Sequence, residues 1–283
     1  YLKAPSDALR STWYGDSITL DLVATADFQP DRYVDGERLS YFGGPVGQTA
    51  EPISPLVEEP DGGELAVRLA TRRDSNEYAL YGYRGYTPQP DDRRGQFQGR
   101  LGHTRLNVIG ASLRRPVGPG IGNAEIGWYD PADNRDGDQP LMPHSTLKAL
   151  VGYDWEAVTN VNVGLQAYLE WTRDHDRKIA NLAAVEAANG ISGLVGTAGE
   201  EWRQLLTARI TWTRMRGDLT WSLFAFVSPS DDDLYLRPTV RYRMSDRLTL
   251  SAGGNVFAGS DETSFFGQFE RDSNVYARAR FRF

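Results

Sequence analysis

Residues 145–173 form the most regular stretch of the chain and read STLKALVGYDWEAVTNVNVGLQAYLEWTR. Apolar side chains occupy alternate positions from Leu147 to Ala157 and again from Val161 to Trp171, with Thr159-Asn160 between the two runs. A period of two predicts β-strands, and a short polar link between two such runs predicts an antiparallel hairpin. Each run is about twice the usual soluble strand length of ~5 to 6 residues, and it matches the ~9 to 11 residues of a tilted membrane-crossing strand.

The same alternation recurs along the whole chain, and the links between runs are sorted by length. Short links lie near 15–16, 74–75, 117–119, 159–160, 217–218 and 245–246, and long links cover roughly 29–63, 88–99, 131–143, 174–199, 229–233 and 259–272. The pattern predicts an all-β fold, an antiparallel transmembrane β-barrel of about 12–14 strands with short periplasmic turns and long external loops. A soluble all-β domain is the alternative, in which the apolar positions would form a core.

Composition excludes several other classes of protein. The chain has 283 residues, a net charge of −7, no cysteine and three histidines. No stretch approaches the ~18 to 20 apolar residues of a spanning helix, and disulfides, thiolate metal sites and cysteine nucleophiles are excluded. Because phosphate binding needs a concentrated basic surface, the acidic balance argues against a nucleic-acid partner.

Charged and aromatic residues favour the barrel over the soluble domain. Arginine recurs at alternate positions, as in Arg278, Arg280 and Arg282, and a dry core would exclude repeated unpaired charges. Water inside a barrel removes that cost. Tryptophans near the ends of the runs suit the two interfacial belts of a membrane protein; they are Trp128, Trp155, Trp171, Trp202, Trp212 and Trp221.

The last eleven residues, Ser273 to Phe283, end in Phe283 with Phe281, Ala279, Ala277 and Val275 at the preceding alternate positions. This segment resembles the closing strand of Gram-negative outer-membrane β-barrel proteins. The resemblance implies an integral location in the bacterial outer membrane, contact with its lipid, and an assembly signal at Phe281 and Phe283 for the barrel assembly machinery. The stretch from Ala24 to Tyr41 is similar to poorly characterised porin-like outer-membrane proteins of proteobacteria.

Strand parity bears on the domain organisation. Residues 1–283 are predicted to form a single transmembrane β-barrel domain, with about thirteen strands from residue 7 onward. With Phe283 at the periplasmic rim, residues 7–14 would run toward the periplasm and begin outside, whereas such barrels have an even number of strands. We therefore expect one or more N-terminal strands to be lacking, so that the chain is the C-terminal part of a longer barrel. The alternative is a twelve-stranded barrel in which 7–14 is peripheral.

The predicted function is a porin-like channel for passive diffusion of small solutes or ions. Its pore-lining residues would form a cationic wall that favours anions; they are Arg68, Arg72, Arg209, Arg237, Arg241, Arg243, Arg278, Arg280 and Arg282. The same alternation places Arg84 and Arg105 on the pore side. The open alternative is that these arginines pair with pore carboxylates; those are Asp21, Glu64, Glu125, Asp154, Glu156 and Glu170.

Other functions receive less support. A second hypothesis is an outer-membrane scaffold or sheath around a partner protein, either an electron carrier or a secreted chain. Enzymatic chemistry is not expected, because His144-Ser145 are adjacent on a strand and point to opposite faces. No cofactor and no metal are expected, since Asp231-Asp232-Asp233 and the aspartates near 130–138 lack EF-hand spacing. Residues 178–196 predict a short helix in an external loop, which would either constrict the pore or cap its rim.

Overall fold

The computed structural model describes residues 7–31, 55–261 and 264–283. In these ranges, thirteen strands form one sheet, and each of them pairs antiparallel with the strand of this sheet that follows it in the chain. The strands are β1 (Ala8–Tyr14), β2 (Ile18–Thr25), β4 (Glu64–Arg73), β5 (Asn76–Tyr86), β7 (Arg105–Val117), β8 (Gly120–Pro131), β9 (Thr146–Val158), β10 (Val161–Thr172), β11 (Trp202–Arg214), β12 (Leu219–Ser228), β13 (Asp233–Arg243), β14 (Leu248–Gly259) and β15 (Asn274–Phe281). The predicted all-β antiparallel fold and its strand number are confirmed.

The hairpin predicted at 145–173 is β9 and β10. Its register pairs Tyr153 with Leu165 and Leu147 with Trp171. The turn is tight because Asn160 adopts a left-handed backbone with φ of 65°, a conformation that asparagine tolerates better than most residues. The amide of Asn160 donates to a carboxylate oxygen of Glu156 at 2.6 Å, which holds the turn closed.

The connections lie at two ends of the sheet, which we call the turn end and the loop end. At the turn end, links of two to four residues join β1 to β2, β4 to β5, β7 to β8, β9 to β10, β11 to β12 and β13 to β14. Most links at the loop end are long, as predicted. The exception is 229–232, which joins β12 to β13 with four residues, so the prediction of a long loop there is wrong.

The two edges of the sheet run in the same direction, because thirteen antiparallel strands separate β1 from β15 by an even number of steps. Within the described ranges, no backbone pairing joins β1 to β15. The prediction that the strands belong to a longer barrel stays a prediction. Part of the Ala24 to Tyr41 resemblance, residues 32–41, lies outside the described residues.

Among the described residues, no second layer packs on the apolar side of the sheet. Large aliphatic side chains there are exposed, among them Ile109 at 66%, Val151 at 63% and Leu80 at 59%. Buried apolar side chains of the described residues lie largely in the loops, as with Leu182, Leu194 and Phe266. The arrangement therefore differs from a soluble sandwich, in which the apolar face of each sheet is covered.

The loop end carries its own small elements. Helix α1 (His175–Asn189) confirms the predicted helix in 178–196, and its buried Leu182 packs with Leu194 and with Leu141 of the preceding loop. Two short strands, β3 (Leu56–Glu58) and β6 (Arg100–Gly102), belong to the loops before β4 and before β7; they pair with each other in parallel and were not predicted. Over the residues that the structure describes, α1 and every other helix is too short or too polar to span a membrane.

Candidate functional site

The two faces of the sheet differ in chemistry, and the register assigns each residue to one of them. Directly paired residues share a face, so Asp21 and its partner Arg68 lie on one side, and Leu20 and its partner Leu69 lie on the other. We call these the polar face and the apolar face. The polar face is the candidate functional surface, because the charged side chains of the strands concentrate there.

At the start of the sheet, polar-face charges are paired. Asp21 is buried and accepts hydrogen bonds from Arg10 and Thr12, each at 2.7 Å. Arg68 lies 3.5 Å from Asp21 and 2.8 Å from Glu77, and Arg72 reaches the same Glu77 at 3.4 Å. Two of the predicted pore arginines, Arg68 and Arg72, therefore follow the pairing alternative.

The far end of the sheet is different. Five arginines on the polar face of β11 to β15 have no ion-pair or hydrogen-bond partner for their guanidinium groups among the described residues; we call them the arginine wall, and they are Arg209, Arg237, Arg241, Arg278 and Arg280. Arg243 belongs to the same face but pairs with Asp218 of a turn at 2.7 Å. Arg282 follows β15 at the turn end, where its amide donates to the carbonyl of Arg247.

Acidic side chains of the polar face concentrate on β4 to β10. The carboxylate of Glu170 accepts from Tyr168 at 2.6 Å and lies 3.5 Å from Lys148, and Glu64 accepts a short hydrogen bond from Tyr83. Glu125 and Asp154 lie on the same face, opposite Ser112 and Gly164 respectively. Carboxylates of β4 to β10 thus have cationic neighbours such as Arg68 and Lys148, whereas the arginine wall lies on other strands, and such an uneven distribution of charge creates a field across the space that the surface borders.

An aromatic cluster covers the loop end of the polar face on β12 to β14. Phe226 stacks on Tyr235 at 5.9 Å, and Tyr235 stacks on Phe257 at 4.4 Å between ring centroids. Phe266 and Phe269 of the loop before β15 pack against these rings. The buried carboxylate of Asp233 accepts the amide of Phe266 at 2.7 Å. The segment 264–272 is therefore folded back over the polar face.

Several loops meet in a cavity of about 780 Å³ at the loop end. It is lined by Arg93, by Ile179 of α1, by Arg203 and by Phe265. Arg203 pairs with Asp231 at 3.0 Å and lies 5.0 Å from the ring of Phe265. Nearby, the ammonium of Lys178 donates to the carbonyl of Ala198 at 2.8 Å, and burial lowers the pKa of Lys178.

The three histidines serve as structural contacts. His103 bonds the carbonyl of Thr87 at 2.7 Å, His144 bonds that of Arg173 at 3.2 Å, and His175 bonds that of Gly199 at 2.9 Å. Burial lowers the pKa of His144. In the described residues, no histidine bonds a carboxylate or a hydroxyl nucleophile, and no group of three metal-ligating side chains converges.

Two arginines lie on the face opposite to the one predicted from the sequence. Arg84 is paired with Leu65 and Asn107, and Arg105 is paired with Tyr86, so both lie on the apolar face. A β-carbon at the neighbouring Gly85 would meet Tyr83 and Glu64 of the polar face, which agrees with this assignment. The prediction that Arg84 and Arg105 line the pore side is therefore wrong.

The proposed assembly signal lies on the exposed last strand. Phe281 is on the apolar face opposite Leu248 and is 61% exposed, and Phe283 follows the end of the strand without packing. The described residues of β15 are exposed along its length. The assembly role of these two residues stays a prediction.

Comparisons with known proteins give structural matches only. No protein-family model matches the chain, and no curated protein sequence matches it. Among solved structures, a triple-substitution variant of the Rhodobacter blastica porin aligns at 8% identity and a TM-score of 0.43, over 98% of this chain and 77% of that one. A double-substitution variant of the same porin aligns at 9% identity, also with a TM-score of 0.43 and the same coverage.

Proposed function

We propose that this chain forms a channel in a bacterial outer membrane for passive diffusion of small solutes. In this proposal the polar face borders a water-filled pore and the apolar face contacts lipid. The observation that carries it is the exposure of Ile109, Val151 and Leu80 on one face of a sheet whose other face holds the arginine wall. Contact with water is unfavourable for the apolar surface, and contact with lipid is unfavourable for the charged one, so lipid suits the apolar face and water suits the polar face.

Aromatic residues at both ends of the apolar face support this proposal. Trp128, Trp171 and Trp202 form a row at the loop end, with ring centroids 6.5 and 5.9 Å apart. Trp155 lies toward the turn end, and its neighbour in the next strand, Val163, is eight residues from Trp171. Eight steps of roughly 3.3 Å span about 26 Å along the strand, or about 20 Å at a tilt of ~40°, close to the ~25 Å apolar band of such barrels.

Reconstitution in a planar lipid bilayer tests the channel. The purified chain should need detergent to stay monodisperse, and after insertion it should give stepwise, ohmic currents. Folded chain that remains silent in the bilayer contradicts the channel and favours a sheath around a partner protein. Chain that stays dissolved and monodisperse without detergent contradicts the membrane location as well.

We further propose that the channel prefers anions. Support comes from the arginine wall, whose guanidinium groups are unpaired within the described residues, while Asp233, the acidic residue of β13 on the same face, is buried as the acceptor of the Phe266 amide. Fixed positive charge raises the local concentration of anions. A potassium chloride gradient should give a reversal potential on the anion side, and cation preference in the wild type would contradict the proposal.

A variant in which three arginines of the wall are replaced by glutamine tests whether the wall causes the anion preference. The triple substitution Arg237→Gln, Arg241→Gln and Arg278→Gln should move the reversal potential toward cations at 0.1 M salt. At 1 M salt the effect should shrink, because the screening length falls from ~10 Å to ~3 Å. Arg115→Gln is the control, since Arg115 lies on the apolar face opposite Gly122.

A further inference from the structure

A cavity of about 730 Å³ lies on the outside of the sheet at the loop ends of β5, β7 and β8. Three arginines line it, namely Arg84, Arg105 and Arg135, together with the apolar side chains of Ile109 and Trp128. Cationic groups beside apolar ones in one concave site suit a ligand that carries an anionic head and an apolar body.

The cavity opens on the apolar face and is separated from the polar face by the sheet. Arg84, Asn107 and Asp130 form one row across the three strands, and Gly82, Ile109 and Trp128 form the next row toward the turn end. A solute that moves along the polar face would not reach these side chains. In the channel proposed above, this cavity faces lipid.

The three arginines of the cavity differ in whether a carboxylate pairs with them. Arg135 binds Asp130 through two nitrogens, with distances of 2.7 and 3.0 Å to the same carboxylate oxygen. The guanidinium groups of Arg84 and Arg105 have no ion-pair or hydrogen-bond partner in the part of the chain that the structure describes. Asp133, the other acidic neighbour, accepts the backbone amide of Arg105 at 3.2 Å. Two exposed guanidinium groups therefore remain available to an external anion.

The height of the cavity fits a lipid headgroup. Trp128 begins the row of tryptophans at the loop end, and Arg84 lies two residues beyond the Trp128 row toward the loops. Two steps are about 7 Å along a strand. Tryptophan belts mark the boundary between hydrocarbon and headgroups, so the guanidinium groups lie at the level of the headgroups.

We infer that this cavity binds the phosphate of a phosphorylated glycolipid in the external leaflet, with Arg84 and Arg105 as its ligands and the acyl chains against Ile109 and Trp128. The inference rests on the proposed membrane function. Guanidinium forks match the oxygens of a phosphate group and bind it by charge-assisted hydrogen bonds. A free anion lacks the apolar part that Ile109 and Trp128 would contact.

Native mass spectrometry of the detergent-solubilised chain tests the inference, with diphosphoryl lipid A as the probe. The wild type should retain the lipid, and Arg84→Gln/Arg105→Gln should retain it at least about tenfold more weakly, since two charge-assisted contacts are lost. The control is Arg115→Gln, which removes an arginine from the same face of β7 at the turn end and should retain the lipid as the wild type does. The Arg84→Lys/Arg105→Lys variant keeps both charges and should bind between the two extremes.

Three results would overturn the lipid site. They are equal retention by the Gln double variant, equal retention of lipid A from which both phosphates have been removed, and displacement of the lipid by millimolar inorganic phosphate. Channel recordings on the same samples separate this inference from the proposed function. Open channels with unchanged lipid retention in the Gln double variant refute the site and leave the channel, whereas lipid-specific binding by a silent wild type supports the site and refutes the channel.

Discussion

A charge in the middle of the apolar face distinguishes lipid from water as the solvent of that face. Val151 on β9 lies four residues from Leu147 on one side and four residues from Trp155 on the other. Leu147 is the residue of β9 that pairs with Trp128 and Trp171 of the loop-end row. Each separation is about 13 Å along the strand. Val151→Arg therefore places a guanidinium midway between the two aromatic belts. In a bilayer it should lower the free energy of unfolding by about 2–4 kcal/mol, a change of roughly 30- to 700-fold in the ratio of folded to unfolded chain.

The neighbouring residue supplies the control. Leu150 lies on the polar face between Glu125 and Tyr168 in the register. Leu150→Arg introduces the same side chain one position away, on the face that we assign to water, and beside a carboxylate. We expect its effect on the free energy of unfolding to stay within about 1 kcal/mol, as for a solvated surface substitution.

Guanidinium chloride unfolding in phospholipid vesicles, followed by tryptophan fluorescence, measures both variants. The reasoning is refuted if Val151→Arg unfolds at the wild-type midpoint while Leu150→Arg is strongly destabilised. That outcome would mean that Val151, 63% exposed in the structure, faces water.

Two further predictions concern the loops. His144 has a pKa below its ordinary ~6.5 because it is buried. The unfolded loop therefore binds a proton more readily than the folded loop does. The stability of the folded loop is lost as the pH falls below ~6.5 toward the lowered pKa. Amide hydrogen exchange around residues 131–145, divided by the intrinsic exchange rate at each pH, should show protection that falls between pH 7 and pH 5 in the wild type and much less in His144→Gln; an equal loss of protection in both would contradict this. Asp233→Ala removes the acceptor of the Phe266 amide, a charge-assisted bond worth about 1.5–3 kcal/mol, and should make 264–272 more sensitive to protease. Asp232→Ala, at the exposed neighbouring position, is the control, and equal cleavage of the two variants would argue against the anchor.

The strands could be predicted because two signals agree along the chain. Alternation in Leu147 to Ala157 fixes which side chains share a face, and the length of the run exceeds what a soluble strand needs. The structure confirms the β9–β10 hairpin and the strand count. Composition around Thr159-Asn160 also gives the turn its correct position.

Arg84 and Arg105 show where alternation fails. Tyr81 and Tyr83 precede Arg84 and look apolar in the sequence, yet their hydroxyl groups bond Ser112 and Glu64 on the polar face. Tyrosine has an apolar ring and a polar tip, so its face cannot be read from hydropathy. Arg105 fails for a related reason, since Leu106 lies on the polar face near the strand end.

The arrangement of the loops could not be predicted, because it depends on contacts between distant segments. Asp233 belongs to an acidic run that looks like a solvated loop, but the structure buries it as the acceptor for Phe266. Likewise, the apolar residues of α1 allow the helix to be predicted from the sequence. Their packing on Leu141 cannot be predicted, because Leu141 belongs to a different loop, the one before β9. No local pattern encodes such pairings.

The row of Trp128, Trp171 and Trp202 has an optical consequence. Ring centroids 6.5 and 5.9 Å apart are close enough for the electronic transitions of neighbouring indoles to couple. The three rings come from β8, β10 and β11, and they meet only when β9 lies between the first two in register. A circular dichroism signal from coupled indoles would therefore appear only when β8, β9, β10 and β11 are paired, because no single strand brings two of these rings together.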